Sequence, residues 1–257
     1  MVAERLRLEH ALRAKGDLKL VPYLMAGFPT KKRSIDVGKR LAASGVAALE
    51  IGIPHSDPLA DGPVIQRAGQ AALEHGMTVA GALEVCAAVA AEGIPVVLMT
   101  YINPVLAFDP RKFAAAAAQA GAAGVIVPDL PIEEAEPVAA WLRSASLDTV
   151  FMVAPTTPPD RIAAIASHSR GFIYCVTVTG ITGARKELPS GMNQLLANVK
   201  KRTALPVAAG FGISRQEHMK ALRGHADAAV VGSAIVDEIE RGGDGVSLVR
   251  ELLKACR

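Results

Sequence analysis

The chain has 257 residues, 51% of them hydrophobic and 21% charged, with a formal net charge of +3. That length suits one large α/β domain, and the composition allows a large core and excludes a disordered chain. So small a basic excess, with no basic stripe interleaved with aromatics, gives no sign of nucleic-acid binding. In chain order, the segment from Met1 to Arg13 mixes charged and apolar residues at helical spacing and lacks the apolar stretch of a signal peptide. No apolar run reaches about 18 residues, so the expectation is a soluble, cytoplasmic protein without a membrane partner. Predicted strands are the apolar runs at 18–25, 47–51, 95–100, 124–127, 149–153, 171–176, 206–209 and 228–231. Between them lie helical patterns at 32–43, 62–92, 110–120, 132–144, 159–167, 191–202 and 215–223, and from Ile235 to the end. The long 62–92 stretch should break near Gly76-Met77-Thr78 into two helices. Lys200-Lys201-Arg202 reads as a solvated helix end, where cations suit the macrodipole.

Several of the strand runs are almost continuously apolar, as expected of parallel strands buried on both faces. Repeated βα units imply right-handed crossovers. Eight units fit a closed (β/α)8 TIM barrel with extra N-terminal and loop helices, the doubly wound sheet being the alternative. No Pro/Gly/Ser linker divides the chain, so residues 1–257 read as a single domain. Cys86, Cys175 and Cys256 are too far apart for metal-ligand spacing or a disulfide framework, which fits a reducing compartment.

In such a barrel, chemistry gathers where strands end. The richest segment is Leu49-Glu50-Ile51-Gly52-Ile53-Pro54-His55-Ser56-Asp57-Pro58-Leu59-Ala60-Asp61-Gly62. Glu50 should stand at the mouth of the second strand, half out of water, where partial burial raises its pKa. Asp61 follows in a loop held by Pro58 and Gly62 and can face the same cavity. Two carboxylates in unlike surroundings make an acid/base pair; for Glu50 alone, a strand-end salt bridge is the plainer alternative. Tyr23, Tyr101 with Asn103, Asp129, Tyr174 and Thr177 fall at the same end. Tyr101 and Tyr174 are either substrate contacts or barrel-mouth packing, and Asp129 either binds or caps the following helix. Asp57 could be a turn former. His55 has no histidine or cysteine at ligand spacing and reads as loop packing, so no metal is expected. Glycine turns after the last strands, Thr179–Arg185, Gly210-Phe211-Gly212-Ile213-Ser214 and Gly232-Ser233-Ala234, allow backbone N–H groups to approach a phosphate, with a helix N-terminus adding its dipole.

The 49–62 segment closely resembles the signature of the tryptophan synthase alpha chain family. The resemblance extends through Val21-Pro22-Tyr23, Ala26-Gly27, Pro63-Val64-Ile65-Gln66, Tyr101-Ile102-Asn103-Pro104, Val127-Pro128-Asp129-Leu130-Pro131 and Ala154-Pro155-Thr156-Thr157. It continues in Gly180-Ile181-Thr182-Gly183, the Gly210 turn and Gly232-Ser233-Ala234-Ile235-Val236. It implies a carbon–carbon lyase of tryptophan biosynthesis that cleaves indole-3-glycerol phosphate to indole and glyceraldehyde 3-phosphate. By the same resemblance Glu50 shuttles the protons and Asp61 stabilises charge on the indole nitrogen. Thr182 bonds that aspartate on loop closure, and Tyr174 lies close to Glu50. Tyr23 belongs to the indole pocket, and Gly183, Gly212, Gly232 and Ser233 hold the phosphate. It further implies a beta-chain partner in an alpha2-beta2 complex, docked on Pro54, Asp57, Pro58, Asn103 and Pro131. Pyridoxal phosphate is then on that partner and no cofactor on this chain. The chain departs from the pattern at Val178, where some members carry a basic residue, and at His55, often aromatic.

A stand-alone indole-3-glycerol phosphate lyase is the nearest competing reading. A sugar-phosphate isomerase barrel leaves the 49–62 segment unexplained, and a catalytically silent regulatory barrel is at odds with the intact Glu50 and Asp61.

Overall fold

A computed structural model of the chain describes residues 8–13, 17–176, 191–210 and 212–256. The first helix, α1 (Leu8–Leu12), precedes β1 (Lys19–Met25) and α2 (Lys31–Ala42). Next come β2 (Leu49–Gly52), α3 (Pro63–Glu74), α4 (Val79–Ala90) and β3 (Val96–Met99). Helices α5 (Ile102–Phe108) and α6 (Pro110–Gln119) lead to β4 (Ala122–Ile126), a 3-10 turn (Ile132–Glu134), α7 (Glu136–Ser144) and β5 (Asp148–Val153). The remainder runs α8 (Pro159–His168), β6 (Ile173–Val176), α9 (Met192–Lys200), β7 (Val207–Gly210), α10 (Gln216–Leu222), β8 (Ala228–Val231), α11 (Ser233–Glu240) and α12 (Val246–Lys254). The strands pair in parallel, each with the next, and β8 pairs with β1, which closes the barrel. The doubly wound alternative is thereby excluded.

Side-chain alternation along each strand builds two apolar zones. Residues such as Leu49, Ile51, Val96 and Leu98 face outward into the layer shared with the helices. Val21, Ala48, Val97, Val150, Phe172 and Ala208 belong to a separate cluster inside the barrel. Leu8 and Leu12 of α1 join that inner cluster and are fully buried, so α1 packs against the barrel interior. A side chain on Gly124 of β4 would begin 2.8 Å from Leu8 Cδ1, which explains a glycine in that strand.

The break expected near Gly76 is present: α3 ends at Glu74, and the Thr78 side chain caps α4 by accepting from Gly81 N at 3.1 Å. The C-terminal segment is not one helix but two, because Gly242-Gly243-Asp244-Gly245 interrupts it and Gly242 and Gly245 take positive φ. Helix α5 lies where the sequence reading placed only a loop. Its Pro104 sits in the first turn, where no intrahelical donor is lost. Among the described helices, no single one is long and apolar enough to cross a membrane.

Candidate active site

Every strand sends at least one residue to a cavity at the C-terminal end of the barrel. They are Tyr23 from β1, Glu50 from β2, Met99 from β3, Ile126 from β4, Met152 from β5, Tyr174 and Val176 from β6, Gly210 from β7 and Val230 from β8. Ala60 and Asp61 from the loop after β2, with Ile65 of α3, Gly212, Gly232 and Ser233, complete the walls. The cavity is small, about 90 Å³, but it shares Ala60, Asp61, Met152 and Val176 with a groove of about 780 Å³ that runs past Pro128–Ile132 and Arg161. A ligand of ordinary size needs several hundred Å³, so cavity and groove together supply the room.

Glu50 is not half out of water. It is the second residue of β2, in register with Tyr23 of β1 and Val97 of β3, and only 1% exposed. Burial first, and the charge of Asp61 second, push its carboxyl pKa up to about 8. Among the described residues Glu50 Oε2 has no hydrogen-bond partner. A buried polar atom left unpaired costs free energy. Here that atom lines a cavity, where a ligand can supply the missing partner. Among the described residues no salt bridge holds Glu50.

Asp61 sits in a short structured loop. Its N–H donates to Pro58 O at 3.1 Å, and its carbonyl accepts from the Gln66 side chain at 2.9 Å. Burial raises its carboxyl to about 6, opposed by a hydrogen bond from Tyr101. At neutral pH the pair therefore divides: Glu50 holds its proton while Asp61 is mostly ionised. This is the separation of roles that unlike surroundings create.

Two phenols flank the pair. Tyr23 and Tyr174 are both held neutral far above neutral pH, by burial and then by the two carboxylates. Each has its hydroxyl over a glycine. A side chain on Gly52 would begin 2.0 Å from the Tyr23 hydroxyl, and one on Gly210 would begin 2.4 Å from that of Tyr174. Gly52 and Gly210 thus serve the site by leaving room, a role the sequence reading did not give them. The Met99, Ile126, Met152 and Val230 walls also escaped it, because they are alternate members of ordinary apolar strands.

Of the two readings of Tyr101, substrate contact or barrel-mouth packing, its surroundings favour the second. It is 3% exposed and absent from the cavity lining, and its hydroxyl accepts from Ala60 N at 3.0 Å. Asp129 does not cap the following helix: its Oδ1 accepts from Ile102 N at 2.9 Å, at the start of α5. Of the anion-binding residues, Gly212 has φ +65, and Gly232 and Ser233 open α11, which no side chain caps. Thr182, Gly183, Val178 and Thr177 lie outside the described residues. Asp57, Asn103 and Pro131 are exposed and Pro58 half-buried, but Pro54 is buried and offers a partner little surface. Its Cβ packs 4.0 Å from where a Gly69 side chain would begin. His55 packs its ring on Tyr101, centroids 5.0 Å apart. Among the described residues no group of three or more His, Cys, Asp or Glu could hold a metal ion.

Comparison with known proteins gives a consistent picture. A family model described as tryptophan synthase alpha chain matches residues 10–256. The tryptophan synthase alpha chain of Chloroflexus aurantiacus is 44% identical over 252 residues, 95% of each chain. That of Carboxydothermus hydrogenoformans is 47% identical over 232 residues, 89% of this chain and 86% of the relative. Among solved structures, one of Mycobacterium tuberculosis tryptophan synthase superposes with a TM-score of 0.93 at 36% identity, covering 99% of both chains. The tryptophan synthase A-subunit of Pyrococcus furiosus gives 0.86 at 36% identity, covering 93% of this chain and 99% of that one.

Proposed function

The chain belongs to the tryptophan synthase alpha chain family, and from that premise we propose that Glu50 and Asp61 carry out the family's reaction. That reaction is the retro-aldol cleavage of indole-3-glycerol phosphate to indole and glyceraldehyde 3-phosphate. The observation that carries the assignment is the buried pair itself: a carboxyl raised to about 8 and unpaired beside one raised to about 6, on the wall of one cavity.

The chemistry follows from those protonation states. Glu50, protonated at neutral pH, donates to indole C3 and turns the ring into a cationic leaving group. The positive charge develops at the ring nitrogen, where the ionised Asp61 accepts its N–H and stabilises it. Glu50, now a carboxylate, takes the proton from the hydroxyl on the carbon attached to C3. That carbon becomes the aldehyde as the C–C bond breaks, and the bonding pair returns to the ring and restores neutral indole. One residue serves as acid and then as base, and it ends as it began. Tyr23 and Tyr174 pack the ring, with Met99, Ile126 and Met152 as apolar walls. Gly212, Gly232 and Ser233, with Gly183, hold the phosphate at the uncapped N-terminus of α11.

In this role residues 1–257 act as one domain in the cytoplasm. Its partner is a beta chain that carries pyridoxal phosphate, and Asp57, Pro58, Asn103 and Pro131 face that partner. An assay of indole release from indole-3-glycerol phosphate, with and without beta chain, tests it. Release that rises on adding beta chain supports the subunit reading. High release that no amount of beta chain changes favours a stand-alone lyase, and no release in either arm rejects both.

A further inference from the structure

Three loops at the catalytic face meet at one side chain. From the loop after β2, Ala60 donates its N–H to the Tyr101 hydroxyl at 3.0 Å. The same hydroxyl faces the Asp61 carboxylate and opposes the rise in its pKa that burial causes. From that loop too, His55 lies against the Tyr101 ring, centroids 5.0 Å apart and planes inclined by 31°. From the loop after β4, Asp129 accepts the N–H of Ile102, the residue next to Tyr101 in the chain. Tyr101 itself is the N-terminal boundary residue of α5 and is buried. A phenol hydroxyl has one proton to give and lone pairs to accept with. Here a lone pair goes to the amide of Ala60, which leaves the proton for the neighbouring Asp61 carboxylate. The bond to Ala60 fixes the residue just before Asp61 against a buried ring that His55 packs upon.

From this geometry we infer that Tyr101 is the positioning residue of Asp61, holding the carboxylate at the cavity wall through its hydroxyl rather than touching substrate. The inference rests on the role given to Asp61 above. Its physical consequences are specific. A donor to an ionised carboxylate favours the ionised form, and the hydrogen bond from Tyr101 is the force that opposes burial in setting the acidity of Asp61. Removing the hydroxyl should both loosen Asp61 and make it bind its proton more tightly. Neither effect is expected of a residue that only packs against the indole ring.

The test is Tyr101→Phe, which keeps the ring and its contact with His55. It is assayed as the alpha chain with saturating beta chain over a range of pH. Turnover should fall about 10- to 100-fold, the worth of a hydrogen bond to a charged group, with KM little changed. The acid limb of the turnover profile should move to higher pH. Independently, the carboxyl carbon of Asp61, labelled with carbon-13 and assigned by its disappearance in Asp61→Asn, should titrate at higher pH in Tyr101→Phe than in the parent. An unmoved Asp61 titration overturns the inference. So does a variant indistinguishable from the parent, the result for a ring that merely packs, or a change confined to KM, the result for a substrate contact. If the titration moves up while turnover stays at the parent level, Tyr101 positions Asp61 as inferred and it is the catalytic reading of Asp61 that fails.

Discussion

Replacing Glu50 by glutamine should stop the chemistry and, as pH rises, make the fold more stable. Burial and Asp61 raise the Glu50 carboxyl from an ordinary pKa of 4.5 to about 8 in the folded chain. Between those two values the unfolded chain has lost the proton and the folded chain retains it. The folded state then binds more protons, so stability declines as pH increases. Below pH 4.5 both states are protonated and the burden vanishes; above pH 8 both are ionised and the loss levels off. Integrating the single-site linkage between pH 5 and pH 8 gives a loss on the order of 3.5 kcal/mol from this one group. Glutamine has nearly the same shape and does not titrate. Whatever burying its amide costs is the same at every pH, so only the slope is diagnostic. Urea unfolding of both proteins at pH 5, 6, 7 and 8 should show the stability of Glu50→Gln rising relative to the parent by about 1 kcal/mol per pH unit over this range. Indole release should drop about 10²- to 10⁴-fold, the usual contribution of a general acid–base group. A stability difference that stays constant from pH 5 to pH 8 would refute the burial argument, because Glu50 would then titrate alike in both states. Near-parental indole release by a folded Glu50→Gln would refute its catalytic role.

Three further outcomes are expected. Gly212→Val puts a β-branched residue at φ +65 and a side chain in the phosphate path. Glycerol phosphate at about 100 times its dissociation constant should raise the parent's unfolding free energy by about 2.7 kcal/mol and leave the variant's melting temperature almost unmoved; equal stabilisation would place the anion elsewhere. Gly52→Ala drives a methyl group into the Tyr23 hydroxyl, which lies 2.0 Å from that Cβ position, so it should cost about 1–3 kcal/mol. Part of that loss should be recovered with Tyr23→Phe, and strict additivity in the double mutant would show that the two groups do not meet. Asp57 is exposed, so Asp57→Ala should leave basal activity and stability within about 0.5 kcal/mol of the parent. It should, however, require more beta chain to reach full activation; an equal fall in basal and activated rates would put Asp57 in the chemical site instead.

The parts of this molecule readable in its sequence are those where a pattern repeats or a residue type is unusual for its place. Eight apolar runs alternating with helical stretches define the barrel, and Thr78 after Gly76 marks the break between α3 and α4. Glu50 stands out because a carboxylate interrupts an apolar run. The depth of its burial was not legible, because strand ends cannot be told from strand interiors when β2 is only four residues long. Met99, Ile126, Met152 and Val230 were invisible as cavity walls, since facing inward at the top of a barrel leaves no compositional mark. Helix α5 was hidden by Pro104, which is compatible with a first turn yet reads as a loop residue. The division of α11 from α12 did carry a signal, Gly242-Gly243-Asp244-Gly245, that a long apolar periodicity on either side overrode. Tyr101 illustrates a different limit. Its position after β3 was evident, but whether a hydroxyl faces a ligand or a neighbouring loop depends on contacts between segments 41 residues apart.

The loop after β2 joins the catalytic pair to the surface that a partner would cover, and its construction determines how the two communicate. Leu59 is 81% exposed, an unusual state for a large apolar side chain, and it lines the groove beside the cavity. The next residue, Ala60, is held by Tyr101, and the one after that is Asp61. Within the loop, Leu59 N donates to Asp57 O at 3.0 Å and Asp61 N to Pro58 O at 3.1 Å, while the Gln66 side chain secures the Asp61 carbonyl. A segment so tied cannot yield at Asp57 or Leu59 without moving Asp61, because there is no slack residue between them to absorb the displacement. Glu50 stands on the opposite footing. It lies inside β2, paired by backbone to β1 and β3, and a force on the loop leaves it in place. Partner binding at this face therefore acts on only one member of the pair. It can alter where the charge-stabilising carboxylate lies while the proton-shuttling one stays fixed, so activation by a partner should appear chiefly in the acid limb that Asp61 sets near pH 6, and should move the Glu50 ionisation near pH 8 only through the smaller contribution that the Asp61 charge makes to it beside burial.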